Sequence, residues 1–260
     1  MKSPAIPLPV PLSELQDEDV VFDMDGTLVE GDLGETVFYH YLIKGNLTTG
    51  PDQEHLNGPL TGEEAESLHT YLRMIADGEL RKAYTYTARR ITACTESDPH
   101  GITRAILAEK LPPALITIEL CVDNRVSEYD LQFGARMKPG MNTLVHQILD
   151  SGARAWIVSA SPQPVCETVG GLLGIPPERI IGVRAAGSIQ RTPWGSNKVA
   201  ELRKQGVTRP ALAFGDSAGD FDLLAFARHG ILVHNNSNPG LLHQAQDRGW
   251  LVLHDHQPGD

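Results

Sequence analysis

The sequence predicts an α/β protein, a parallel sheet with helices on both faces, interrupted early by an all-α insertion. Three observations carry this. Residues 20–22, Val-Val-Phe, form an apolar run ending in Asp23-Met24-Asp25-Gly26, the pattern of a buried strand that delivers carboxylates to a rim. From about Asp32 to Tyr129, helical signals run unbroken by strands. From Lys138-Pro139-Gly140 onward, helix and strand patterns alternate, which means βαβ units and a Rossmann-like parallel core.

Taken in order, residues 1–19, with Pro4, Pro7, Pro9 and Pro11, read as an extended leader packed loosely on the core. Asp32 precedes a helix carrying Val37, Phe38 and Tyr41, and Asp is a favoured N-cap. Gly50-Pro51 and Asn57-Gly58-Pro59 mark a loop. Thr61-Gly62-Glu63-Glu64 reads as a capping box opening a helix with Leu68, Tyr71, Leu72 and Ile75 on one face. Asp98-Pro99 opens another, and Pro112-Pro113 breaks the chain before a last amphipathic helix bearing Leu115, Ile118, Cys121 and Val122. A helix near Met141 to Leu149 then leads to strands near Ala155, Ile180, Ala211 and Ile231. Asn238-Pro239 caps the final helix, before a short strand at 250–253. The division is a core of residues 1–31 and 132–260 with a cap of residues 32–131.

Composition excludes several classes. The 260 residues are 41% hydrophobic and 21% charged, ordinary for a soluble globular chain with a core and a smaller inserted unit. A formal net charge of -11, with no Lys/Arg-rich run, argues against a nucleic-acid partner. No apolar run approaches the ~18 residues of a membrane span, and the N-terminus lacks a signal-peptide pattern. Cys94, Cys121 and Cys166 are odd in number and far apart, so free thiols in a reducing, cytoplasmic compartment are expected. His254 and His256 lie in a polar tail and read as solvated. Nothing in the chain fixes an oligomeric state.

Carboxylates at the end of a buried strand are costly to desolvate unless a cation or hydrogen-bond donors meet them. Magnesium is the natural partner, because it takes oxygen ligands and is held by one or two carboxylates plus substrate phosphate. An Asp-x-Asp-Gly alone is as readily a surface turn. Three further polar groups change that reading. Ser159 ends the apolar residues 155–158; Lys198 follows Ser196, read as a helix N-cap; and Gly215-Asp216-Ser217-Ala218-Gly219-Asp220 follows the apolar residues 211–214. In an open parallel sheet, ligands bind outside the carboxyl ends of the strands, where Asp23, Asp25, Ser159 and Asp216 would all fall.

These four segments, in this order from about Val20 to Leu253, resemble the motifs of the haloacid dehalogenase superfamily, and within it the phosphoserine-phosphatase branch with its helical cap after the first motif. The resemblance implies Asp23 as nucleophile and metal ligand and Asp25 as general acid/base. It implies Ser159, its neighbour Ala160 and Lys198 as phosphate-binding groups. Asp25 and Asp216 complete the metal set, with Asp220 behind it. Dehalogenases of the superfamily lack the second acid, so the presence of Asp25 implies a phosphatase or a mutase.

The chemistry agrees. Two anions about 4 Å apart repel by roughly 4 kcal/mol at an effective dielectric of 20, so a carboxylate attacking a phosphoryl group needs its charge masked. Magnesium and Lys198 would mask it. An aspartyl phosphate splits one hard displacement into two, and Asp25 could protonate the leaving oxygen and then activate water.

The expected function is therefore a magnesium-dependent phosphatase of a small phosphorylated metabolite. In the resembled branch an acid nine residues past the nucleophile meets the substrate's amino group. Here that position is Asp32, with Glu30 and Glu35 nearby, which favours a phosphoserine-like substrate, while Asp32 also fits a plain N-cap. Tyr39, Tyr41, Tyr84 and Tyr86 leave open a quaternary ammonium such as phosphocholine, or phosphoethanolamine. Arg73, Arg89 and Arg90 are the arginines available for a substrate carboxylate. A sugar-phosphate mutase and a non-catalytic phospho-ligand binder are the remaining alternatives.

Overall fold

The computed structural model describes residues 6–43, 47–49, 54–56, 58–93, 98–184, 192–234 and 239–254. The chain enters through a helical turn at Leu12–Glu14, then β1 (Asp19–Phe22), β2 (Val29–Glu30) and α1 (Leu33–Ile43). Next come β3 (Leu47–Thr49), β4 (Glu54–Leu56), α2 (Gly62–Ala76), α3 (Leu80–Ala93), α4 (Pro99–Glu109), β5 (Ala114–Val122) and β6 (Arg125–Phe133). β7 (Arg136–Met137) returns beside β2 and pairs with it antiparallel, so the segment between them starts and ends at one short ribbon. The second half runs α5 (Pro139–Asp150), β8 (Arg154–Pro162), α6 (Gln163–Leu172), β9 (Ile180–Val183), α7 (Ser196–Lys204) and β10 (Leu212–Gly215), then α8 (Phe221–Phe226), β11 (His229–His234), α9 (Pro239–Asp247) and β12 (Leu251–His254).

Six strands form one parallel sheet in the order β12-β11-β10-β1-β8-β9. β1 is central, with Val20 in register with Ala155 on one side and Leu212 on the other. Its residues point alternately to two apolar layers, which is why an unbroken apolar run suits it. Val20 and Phe22 join the layer packed by α5 and α6, while Val21 joins the one packed by α7, α8 and α9. Phe22 stacks on Phe214 with ring centroids 4.6 Å apart, fixing β1 against β10. The chain leaves β1 for β8 on one side and reaches β10 on the other, so the carboxyl ends of β1 and β10 flank the topological switch point.

The segment between β2 and β7 carries helices α1 to α4 but is not helical throughout, since β3 and β4 pair antiparallel between α1 and α2. The predicted helix bearing Leu115, Ile118, Cys121 and Val122 is instead strand β5, paired along nine positions with β6. Asp123 and Asn124, both in the left-handed region (φ 51 and 59), make the two-residue turn that a hairpin favours. Burial follows period two, with Ile118 and Leu120 covered and Leu115 76% exposed, so helical spacing of apolar residues was coincidental here. Thr61 does stand at the cap of α2, yet its side chain makes no capping hydrogen bond. The cap of α7 is Gly195, with Ser196 the first helical residue.

The leader packs more firmly than predicted: Leu15 is fully buried, and Ile6, Leu8, Val10 and Leu12 lie against the same core. Cys121 and Cys166 are free thiols. His254 packs edge-on against His234 at 5.7 Å. Pro4, Gly50, Pro51, Asn57, Cys94, Asn238 and His256 lie outside the described residues. Among the described residues, no helix is long and apolar enough to cross a membrane.

Candidate active site

Asp23 follows β1 directly, its N–H donating to the Phe214 carbonyl at 2.9 Å, so its backbone is held by the neighbouring strand. Its side chain is buried, and Oδ1 accepts from Lys198 Nζ at 2.5 Å. The same ammonium donates to Asp220 Oδ1 at 2.6 Å. Asp220 Oδ2 in turn accepts from the Ser217 hydroxyl at 2.9 Å and from the Ser217 and Asp216 N–H groups at 3.1 and 3.3 Å. Lys198 is thus anchored by an acid that the turn after β10 holds rigidly.

Carboxylate oxygens of Asp23, Asp216 and Asp220 all lie within 4.8 Å of one another. Burial, with Asp220 next, pushes Asp23 up to about 7 against the pull of Lys198. Burial, Asp220 and Asp23 raise Asp216 well above the ordinary carboxylate range, even with Lys198 and Lys138 opposing. Burial alone would lower Lys198, but Asp220 and Asp23 keep it charged and above its ordinary value. The negative charge is therefore only partly answered by the protein's own cations. Gly26 makes room for it: a Cβ there would lie 2.0 Å from Asp216 Oδ2, and the residue's φ of +73° suits glycine. Converging hard oxygens with unanswered charge and a glycine cradle fit a divalent cation of the magnesium type.

Asp25 is turned another way. Its Oδ1 accepts from the Leu33 N–H at 2.8 Å, and its Oδ2 from the Ser161 hydroxyl at 2.5 Å and the Ser159 hydroxyl at 3.4 Å. Its carboxylate lies outside the group formed by the Asp23, Asp216 and Asp220 side chains. Ser159 is buried and accepts the Ser161 N–H at 3.0 Å, across Ala160.

The second serine, Ser161, is not among the site residues expected from the sequence, although it stands two residues past Ser159. Lys138 was missed as well. It is buried, and its Nζ donates to the Gly26 carbonyl at 2.6 Å, clamping the turn that carries Asp25.

At the mouth, Asp32 caps α1, with Oδ1 accepting the Glu35 N–H at 2.7 Å. Burial raises Asp32 well above its ordinary value, and the groups adding most to that are Glu35 and Asp25, both acids. Glu35 accepts hydrogen bonds from the Tyr71 and Tyr39 hydroxyls. Tyr39 and Tyr71 pack edge-on at 6.2 Å, and Tyr84 is raised by burial and by Asp32. Glu30 instead pairs with Arg136. Arg90 pairs with Glu63 at 2.8 Å, while Arg73 and Arg89 are exposed.

A model of haloacid dehalogenase-like hydrolases matches residues 20–225. Among solved structures, a protein with unknown function from Bordetella pertussis Tohama I is 18% identical, covering 92% of this chain and 98% of that one, with a TM-score of 0.63. A conserved functionally unknown protein from Anaerococcus prevotii DSM 20548 is 15% identical over 91% of this chain and 85% of that one, at 0.58. A phosphoserine phosphohydrolase-like protein from Francisella tularensis subsp. tularensis SCHU S4 is 14% identical over 91% and 94%, at 0.51. At these identities the three show a shared fold. No curated protein matches the chain significantly.

Proposed function

The chain belongs to the haloacid dehalogenase-like hydrolase family, and on that premise we propose that it is a phosphatase of small phosphomonoesters working through an aspartyl phosphate on Asp23. The observation that supports this is the contrast between two neighbouring acids. Asp23 lies in a charged cluster with Lys198, whereas Asp25 is held apart by two hydroxyls and an N–H.

In this reading an Asp23 oxygen attacks phosphorus while the bond to the substrate oxygen breaks, and Asp25 gives its proton to the departing alkoxide. Asp25 then takes a proton from water, whose oxygen attacks phosphorus, releasing Asp23 and inorganic phosphate. Ser159, the Ala160 N–H and Lys198 hold the phosphoryl oxygens on which charge accumulates. Asp23 and Asp216 would hold magnesium, with Asp220 orienting Lys198 behind them. When bound, that ion would mask the charge of the nucleophile and of the phosphoryl oxygens. Residues 32–131 serve as a cap that excludes bulk water from a core of residues 1–31 and 132–260.

Asp32 and Glu35 favour a substrate with an ammonium group, phosphoserine first. The aromatic rings around Glu35 support a second reading, an ammonium head without a carboxylate, as in phosphocholine or phosphoethanolamine. Arg90, already paired with Glu63, is poorly placed to hold a substrate carboxylate.

Phosphate release from phosphoserine, phosphocholine, phosphoethanolamine and sugar phosphates, with magnesium or EDTA, tests the proposal. Release should require magnesium, vanish in Asp23→Asn, and shift away from the ammonium substrates in Asp32→Asn. Phosphoryl transfer within a sugar phosphate without release would indicate a mutase. Tight binding without turnover would indicate a binder.

A further inference from the structure

Helix α3 of the insertion meets the segment that introduces Lys198 at two points one helical turn apart. The Arg81 guanidinium lies over the Trp194 ring, 5.5 Å from its centroid. Four residues on, the Thr85 hydroxyl lies 2.7 Å from that of Thr192, which is buried. Residues four apart share a helix face, so both contacts are made by one side of α3. A cavity of about 400 Å³ opens beside them, with Arg81, Trp194, Phe221 and Asp222 among its lining.

From Trp194 the chain of contact runs straight to the acids. The indole rests against Gly219, where a Cβ would come within 2.7 Å of Nε1. The Gly195 N–H donates to the Gly219 carbonyl at 2.9 Å, and the Lys198 N–H to the Gly195 carbonyl at 3.0 Å. Gly195 has φ 60 and ψ -137, a conformation that resists any other residue and fixes where α7 begins. Gly219 is followed by Asp220, the residue that shares the Lys198 ammonium with Asp23.

We propose that Trp194 is a positioning residue that ties the seating of α3 to the placement of Lys198 and Asp220, with Arg81 as its partner from the insertion. The same helix carries Tyr84, which lies within the electrostatic reach of Asp32 and Glu35, so lifting α3 would disturb that side of the site and loosen the ammonium at once. The catalytic consequence rests on the phosphatase reading above; the tie itself does not.

The test uses the full chain with p-nitrophenyl phosphate and magnesium. Arg81 is exposed, so Arg81→Ala should fold with an unchanged melting midpoint. It should lower kcat by about tenfold, the scale expected from a small misplacement of catalytic groups. Trp194→Ala should do the same, the double variant should be no worse than either single one, and Trp194→Phe should recover most of the loss. Hydrogen exchange of the α7 amides should accelerate in Arg81→Ala, a readout that needs no turnover. Unchanged exchange and unchanged kcat in Arg81→Ala, or multiplicative losses in the double variant, would overturn the inference. If the wild type releases no phosphate from any ester, the phosphatase reading fails alone, and exchange still decides the tie.

Discussion

Lys198 Nζ sits 2.5 Å from Asp23 Oδ1 with the lysine side chain 4% exposed, so a buried ammonium directly faces the proposed nucleophile. Replacing it with the unbranched but neutral methionine leaves Asp23 and Asp220 buried with no counter-charge between them. Removing one partner of such a pair costs about 3–5 kcal/mol. Lys198→Met should therefore lose that much in urea unfolding as well as its turnover. A variant as stable as the wild type would show that the ammonium does not carry the cluster.

Gly26→Ala probes the acidic cluster from its other side. The new methyl group would meet the Asp216 carboxylate at 2.0 Å, at a φ of +73° that a side chain rarely adopts. Backbone strain of this kind costs about 1–3 kcal/mol, and Asp216 must also move. Calorimetric titration of EDTA-treated protein with magnesium should show binding in the wild type and a loss of at least about tenfold in affinity in the variant. Equal affinities would remove Asp216 from the metal site.

Ser161, rather than Ser159, makes the shorter hydrogen bond to Asp25, at 2.5 against 3.4 Å. Ser161→Ala should misplace the proton donor and lower kcat by roughly tenfold or more with little change in KM. Ser159→Ala should raise KM as well, since that hydroxyl is the one expected to reach phosphate. Identical kinetic signatures for the two variants would contradict the division of labour.

How far the sequence revealed this site depends on the range over which each residue acts. The run Val20-Val21-Phe22 was legible because β1 is covered on both faces, and a strand so placed must be apolar throughout. Lys198 and Asp216 were legible as members of an ordered set, each opening after a strand. Lys138 was not, since a lysine before Pro-Gly looks solvated, and its bond to the Gly26 carbonyl spans 112 positions. The hairpin β5–β6 misled because residues 115, 118, 121 and 122 mimic a helix face. The competing signals were β-branched residues and the Asp123-Asn124 turn. Asp32 was read as a helix cap or an ammonium reader, and its Oδ1 does accept the Glu35 N–H as a cap would.

Asp19, at the other end of β1, gives the fold a pH dependence separate from the active site. Its Oδ1 accepts from Arg154 Nε at 2.8 Å and Trp156 Nε1 at 2.9 Å, and its Oδ2 from Arg154 Nη2 at 3.1 Å. Burial alone would raise its pKa, but the hydrogen bonds from Arg154 and Trp156 and the Arg154 charge outweigh it, leaving Asp19 below its ordinary 3.8. A carboxylate depressed on folding stabilises the protein at pH values above its unfolded pKa, and that contribution fades as pH falls through the folded value. Arg154 is partly exposed, so solvent screening limits the effect to about 1 kcal/mol. Asp19→Asn should accordingly be less stable than the wild type at pH 7 in denaturant titrations, with the gap closing as the pH is lowered below about 4. A gap that persists undiminished at low pH would assign the loss to packing of Trp156 rather than to the charge.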